Sequence, residues 1–438
     1  MLSKRKLINF MFVAALPIYG IGCWLIVKQS PTIGYITASL GYLAIILFWV
    51  IDRMYQRVLQ PMTNRVFWVA MAYIASLVLM YWIGLLVHHV PILTLPNTVG
   101  QSLLVLVPFP AVVIVLIYNR AAEDFDFTEL FLRSLLALLI INYLGYAAGL
   151  RNLMHSFPGR VSLPFATGIY DGSHLVAIVN MMLLFRIKFA EMGSRPLRFF
   201  GYVGLYMLNL GAMLSINSRL SFMLFLLFTV LFLFKTMKAA RVYLISLFTM
   251  PLMMSFALLI YTVLSLPFFA SILGRVSKDD VTSFNGRTYI WEAVADWAMH
   301  DRRGMVQGLS YHGHYKIGML DEVARLWGEE DAYNLHMHST FLEILTSQGI
   351  IALGIFYWLM WVAYKYYRQR YIDGLSEAPI YAGLIYILFV YQIDIFAHGI
   401  FLGHMVFFSM LAYLAVDKRF ITRPDRLLNG EPVTPAAE

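Results

Sequence analysis

The feature that most constrains this chain of 438 residues is a succession of long apolar runs, at about residues 7–27, 32–51, 66–87, 99–118, 128–149, 173–190, 197–215, 219–234, 242–268, 340–364, 378–396 and 399–416. A run of about 20 apolar residues is what an α-helix needs to cross a hydrocarbon core of roughly 30 Å. Composition agrees: 60% of the residues are hydrophobic and 13% charged, against roughly 45–50% apolar and about 25% charged in soluble globules. A soluble globule is excluded, as are disorder and a disulfide scaffold. The lone Cys23 leaves no partner for an intrachain disulfide and no cysteine-based metal site. We therefore expect an all-α integral membrane protein with about 12 transmembrane helices. The first run follows Lys4, Arg5 and Lys6, but it is long for the apolar region of a signal peptide and no small-x-small site follows it, so it reads as a retained helix.

Orientation follows from the Lys and Arg residues of the connecting loops. Lys4, Arg5 and Lys6, then Arg53, Arg57 and Arg65, then Arg186, Lys188, Arg195 and Arg198, then Lys235, Lys238 and Arg241, then Lys365, Arg368 and Arg370 all fall on one side, joined by Lys418, Arg419, Arg423 and Arg426 of the tail. That side is expected to be cytoplasmic and to hold both termini. The exception is the loop near Arg120, which carries Glu123, Asp124 and Asp126 and few cations. A formal charge of +8 would suggest nucleic acid in a soluble protein, but here most of it records topology, and no nucleic-acid partner is expected. The expected organisation is helices 1 to 9 over residues 1–270, an external loop subdomain over 271–338, helices 10 to 12 over 339–420, and a cytoplasmic tail over 421–438. Within the loop, the apolar spacing of Tyr289, Ile290, Ala293, Val294 and Trp297 predicts a helix over 288–300, and 320–327 a second short one.

The external stretches hold the residues fit for chemistry. Arg219 opens an apolar run in Leu214-Ser215-Ile216-Asn217-Ser218-Arg219, where a cation at membrane depth wants an anion or water, unless it snorkels to headgroups. Arg287 stands at the start of a loop helix after Asn285 and Gly286, where free amides and a guanidinium both suit phosphate; the plain alternative is a surface salt bridge. His336 and His338 flank Met337 ahead of helix ten, and a histidine there suits a general base near neutral pH. The His-x-His pair with His312 and His314 also suits a metal, or both side chains are simply interfacial. Arg151, His155 and Arg160 form a basic loop suited to an anionic sugar or to plain solvation. Asp171, Gly172, Ser173 and His174 start helix six, and Asp394, His398 and His404 are ionisable groups in or beside the last two spans, candidates for function or for pairing with one another.

Several of these segments carry a resemblance. Ser218-Arg219 in a short external turn, Gly286-Arg287 followed by Trp291 in a long loop, and the run from His338 through Glu343 to Gly349 and Leu353 together resemble the O-antigen polymerase and ligase superfamily. Gly168 to Leu175 looks like that family's Gly-x-Phe-x-Asn-Pro-Asn-x-Leu segment, with Asp-Gly-Ser in place of Asn-Pro-Asn. The resemblance implies a membrane glycosyltransferase of GT-C-type architecture in the bacterial inner membrane, with its active site facing the periplasm and its long loop between helices 9 and 10. It implies a glycan donor on undecaprenyl pyrophosphate, a saccharide acceptor (a lipid-linked repeat or lipid A core), an inverting reaction and neither metal nor other cofactor. In its terms Arg219 and Arg287 hold the pyrophosphate and His338 takes the acceptor proton. Arg151, Arg160, His174, Trp291, His336 and Glu343 are then expected to line the substrate.

Two acceptors give two readings. A polymerase adds the chain to another lipid-linked repeat, whereas a ligase transfers it to lipid A core; the run His-Ser-Thr-Phe-Leu-Glu-Ile-Leu looks closer to exopolysaccharide polymerases. A transporter of lipid-linked glycans shares the twelve-helix layout, but no repeat relates the two halves and the long loop is asymmetrically placed.

Overall fold

The computed structural model describes residues 3–56, 65–119, 122, 124–151, 161–166, 169–187, 191–216, 218–239, 241–255, 262, 265–267, 286–329, 332 and 335–416. Among these there is no strand, and every regular element is a helix. Among the described residues, Lys4–Lys28, Pro31–Asp52, Arg65–Leu86, Leu95–Asn119, Phe127–Ala147, Pro196–Ile216 and Thr340–Ile372 are the 7 helices long and apolar enough to cross a membrane, and Arg219–Leu233, Ala378–Ile393 and Leu402–Val416 are shorter apolar ones. The protein is thus an all-α, multi-pass membrane protein. Each predicted run meets helix near its predicted place, but not every run is a full crossing. Residues 99–118 divide at Pro108 into Leu95–Leu106 and Pro108–Asn119, because proline has no amide hydrogen to continue the ladder. The 173–190 run is the 16-residue helix Ile169–Leu184, and the 242–268 run begins as Val242–Leu247 and Thr249–Ser255.

The basic loops meet at one end of the bundle. Lys4 reaches Asp52 at 2.5 Å, Arg5 reaches Asp124 at 2.7 Å, Arg186 reaches Asp126 at 3.0 Å, and Arg368 donates to the Lys238 carbonyl at 2.9 Å. The acidic loop that broke the charge pattern is explained by these pairs: Asp124 and Asp126 are the counter-charges of cations on neighbouring segments.

The centre of the bundle is formed by Ala378–Ile393 and Leu402–Val416, which are apolar on every face and buried along almost their whole length, as a helix without a polar side must be. Ala378–Ile393 has 16 residues, about 24 Å at 1.5 Å per residue, less than the roughly 30 Å of the hydrocarbon core. The turn joining the two helices is packed inside the bundle: Tyr19, well short of the end of the Lys4–Lys28 helix, donates its hydroxyl to the Ile400 carbonyl at 2.7 Å. Buried irregular backbone is tolerated only where protein satisfies its polar groups.

Over this turn sits the loop segment, with helices at Arg287–His300, Arg302–Gln307 and Asp321–Trp327, the first and last where the apolar spacing predicts them. It is fastened to Thr340–Ile372 by a break in that helix. Gly349 has φ 83° and ψ 176°, which frees the carbonyls of the preceding turn, and Leu309 and Ser310 donate their amides to the Thr346 and Ser347 carbonyls at 2.7 and 3.0 Å. A Cβ on Gly349 would lie 2.2 Å from the Val306 carbonyl oxygen, so the glycine serves both the positive φ and the close approach. Gly349→Ala is expected to cost at least ~1–3 kcal/mol from backbone strain alone. Its thermal midpoint in detergent should fall well below that of Gly354→Ala, whose Cβ meets nothing within 4 Å.

Candidate active site

The His-Ser-Thr-Phe-Leu-Glu run is a helix start in which nearly every polar residue has a distinct structural task. Ser339 is the N-cap, its hydroxyl accepting from the Leu342 amide at 3.4 Å, which satisfies one of the orphan donors of a first turn. Thr340 pins the central turn: its amide and its hydroxyl donate to the Asp394 carbonyl at 3.0 and 3.1 Å, and its Oγ1 accepts from the Phe396 amide at 3.0 Å. Glu343 reaches back, its carboxylate accepting from the Met337 amide at 3.0 Å, while the Trp291 indole donates to the Met337 carbonyl at 3.1 Å. The Met337 residue is thus clamped on both sides. Met337 is buried while His336 and His338 are half-buried, so the clamp presents the two imidazoles. Glu343 and Trp291, expected to line the substrate, are bonded to the backbone that carries the histidines.

Arg287 is the first residue of its helix, behind Gly286 with φ 80°. A Cβ on Gly286 would stand 2.6 Å from the Trp327 indole nitrogen, and the Trp327 ring faces the His338 ring at 5.9 Å between centroids. Arg287 is buried, which removes the surface salt-bridge alternative. It donates through Nη1 to the Ile393 carbonyl at 2.5 Å and lies 3.8 Å from the Asp394 carboxylate, with its guanidinium 5.5 Å from the centre of the Tyr170 ring.

Asp394 is the residue whose importance the sequence hid. It was legible only as an ionisable group at the end of an apolar run, and the expectation that it pairs with His398 or His404 is corrected. Its carboxylate accepts from the Ile395 amide at 2.9 Å and meets His174 Nε2 at 3.2 Å. His398 instead meets the Ser347 hydroxyl at 3.0 Å, and His404 the Val105 carbonyl at 3.3 Å. His174 is completely buried, its Nδ1 meeting the Tyr386 hydroxyl at 2.7 Å and the Ser221 hydroxyl at 3.2 Å. Ser221 is further bonded to Ser173 at 2.7 Å and Ser218 at 3.0 Å. Ser218 immediately precedes Arg219, which opens the helix Arg219–Leu233, so the network reaches the start of the helix that carries the second predicted arginine.

Other predicted residues lie elsewhere. The Arg151 guanidinium folds back onto the Tyr146 and Leu150 carbonyls at 2.9 and 2.8 Å and over the Tyr146 ring, outside this network. Arg160 and His155 lie outside the described residues. The His336 ring approaches His312 at 5.1 Å and Phe401 at 5.8 Å, and His312 lies 5.7 Å from His314. Among the described residues no group of three His, Cys, Asp or Glu side chains is arranged to hold a metal ion.

Electrostatically the site sets a cation beside a neutral base. Desolvation, and then the Arg287 guanidinium, push the His338 imidazole down to about 3, which keeps the ring uncharged at neutral pH but makes it a weak base; an anion bound at Arg287 offsets that cation and raises the pKa of the ring. Its Nδ1 is buried with no hydrogen-bond partner among the described residues, and its backbone is held at φ 46°. A left-handed histidine costs roughly 1–2 kcal/mol, here borne by the clamp on Met337 and the cap at Ser339. The arrangement suits binding of an anion at Arg287 together with removal of a proton at His338.

Residues 204–357 match the family model described as O-antigen ligase. The exopolysaccharide production protein ExoQ of Rhizobium meliloti is 28% identical over 124 residues, an alignment that spans 27% of this chain and 27% of that protein. The matched segment carries the signature of the O-antigen polymerase and ligase superfamily, in keeping with the motifs. It holds Arg219, Arg287, Trp291, His336, His338 and Glu343, whereas His174 and Asp394 lie outside it.

Glu343→Ala leaves the Met337 amide buried without an acceptor, a loss of about 1–3 kcal/mol, and should lower the thermal midpoint and slow any reaction dependent on His338. Glu343→Gln keeps a carbonyl acceptor and should retain most of both; equal damage from the two variants would argue against the clamp.

Proposed function

We propose that the chain is a metal-independent, inverting membrane glycosyltransferase that moves a glycan from undecaprenyl pyrophosphate to a saccharide acceptor in polysaccharide assembly. The observation that carries this reading is the convergence of Arg287 and His338, from separate segments, over the buried Asp394 turn. In the proposed step an acceptor hydroxyl oxygen attacks the anomeric carbon and His338 takes its proton. The bond from that carbon to the pyrophosphate oxygen breaks with its electron pair, and the lipid pyrophosphate leaves against Arg287 and Arg219, whose charges stabilise the developing negative charge. Attack opposite the leaving group inverts the anomeric centre.

We further propose a GT-C-type architecture of about 12 crossings in the inner membrane, with the basic end and both termini in the cytoplasm and the site facing the periplasm. This orientation rests on the charge rule and on the convergence of the basic loops at one end. The polymerase reading is supported by the likeness to ExoQ. The ligase reading is supported by the description of the matched family and differs only in using lipid A core as the acceptor.

Purified protein given lipid-linked repeats alone should make ladders; absence of ladders, with transfer on adding lipid A core, would transfer the assignment to ligase. His338→Ala should lower the rate by about 10²–10⁴-fold, the range of a general base, without loss of membrane insertion. A neutral His338 is present at every pH above its pKa. The acid limb of kcat/KM, which reports the free enzyme, should therefore fall below the ordinary histidine value of about 6.5.

A further inference from the structure

We propose that His174 is a positioning residue for this transfer: it sets the Arg287 guanidinium through Asp394 and ties it through Ser221 to the helix that begins at Arg219, fixing the spacing of the two cations that grip the pyrophosphate. The inference rests on the function proposed above and goes beyond it, because His174 lies outside the matched segment and touches no exposed surface.

Its partners account for both ring nitrogens. The Asp394 carboxylate only accepts hydrogen bonds, so His174 Nε2 carries a hydrogen and donates it across 3.2 Å. Nδ1 meets the Tyr386 hydroxyl at 2.7 Å and the Ser221 hydroxyl at 3.2 Å, groups that can donate or accept. Both nitrogens are engaged and the ring is completely buried, so His174 has no atom left for a sugar. Its sequence-based assignment as a substrate-lining residue is replaced by one in which it acts through Asp394.

The chain of contacts has direction. Asp394 Oδ2 is held by His174 and Oδ1 by the Ile395 amide, which leaves the carboxylate one orientation, with Oδ1 towards Arg287 at 3.8 Å. Arg287 is anchored by one nitrogen to the Ile393 carbonyl, and the facing carboxylate at 3.8 Å attracts its other end electrostatically. At the other end Ser221 holds Ser218 at 3.0 Å, on the first turn beside Arg219. Apolar side chains could fill the same volume at equal or better stability, since buried polar networks seldom stabilise more than a packed isostere. What they would lose is the orientation.

His174→Phe keeps the ring volume and removes both hydrogen bonds, whereas His174→Gln can donate to Asp394 and accept from Tyr386. Misplacement of a binding group by about 1 Å costs on the order of 100-fold in rate. With the full-length protein in nanodiscs, His174→Phe should lower kcat/KM for the lipid-linked donor by about 10–100-fold while the KM for the acceptor holds, and His174→Gln should restore most of the loss. Binding of undecaprenyl pyrophosphate without a glycan should weaken in parallel, a readout independent of transfer. If wild type binds the lipid but transfers nothing, the proposed function fails while this binding comparison still judges His174. Wild-type kcat/KM in His174→Phe, or equal loss for donor and acceptor, would overturn the proposal. If His174→Phe does not fold, the shorter His174→Asn is compared with Gln: donor affinity must be higher in Gln, and equal values overturn it.

Discussion

The structure depends on how the backbone turn after Ile393 is satisfied inside the bundle. A helix of 16 residues ends there, and the turn is buried, so its free carbonyls and amides must be paired by protein groups. The Asp394 carbonyl takes two hydrogen bonds from Thr340, the Ile393 carbonyl takes one from Arg287, and the Phe396 amide gives one back to Thr340. Leaving one such group unpaired would cost about 1–3 kcal/mol, so the turn holds the start of the Thr340–Ile372 helix and the start of the Arg287–His300 helix together. Two of the proposed catalytic groups, Arg287 and His338, stand at those two starts. Satisfying an internal backbone break and assembling the site are the same set of contacts.

A second break works in the same way from the other direction. At Gly349 the long helix gives up its own hydrogen bonds, and the Thr346 and Ser347 carbonyls accept from Leu309 and Ser310 instead. This fastens the loop segment to a membrane helix without requiring a large apolar interface. Between the two breaks lies the stretch holding Ser339, Glu343 and the clamp on Met337, so the position of His338 is set from both ends.

Much of the fold was legible in the sequence because lipid imposes a simple rule: backbone polar groups must pair within the segment, so an apolar run of sufficient length becomes a helix. Each predicted run met helix, and the helices of the loop followed from Tyr289, Ile290, Val294 and Trp297. The splitting at Pro108 and the short central helices were not legible as crossings, since length and hydropathy do not say which helices protein surrounds on all sides. In the site, Arg287 and His338 were identified because their residue types and motif carry chemistry. Glu343, Trp291 and His174 were identified as polar residues near it, but their hydrogen bonds to the Met337 backbone and to Asp394 were not legible, because a sequence does not give the partners of a side chain in space.

By itself the sequence determined a multi-pass helical membrane protein, the common end of the basic loops, and the arginine and histidine motifs of a superfamily. These are properties of single segments: local apolarity, local charge and short spacing. Only the tertiary structure decided that Asp394 pairs with His174 and Arg287 rather than with the histidines near it in sequence, and that Asp124 and Asp126 answer Arg5 and Arg186. The physical reason is that a charge pairs with whatever opposite charge stands nearest in three dimensions, and in a bundle of helices the nearest partner in space is seldom the nearest in the chain.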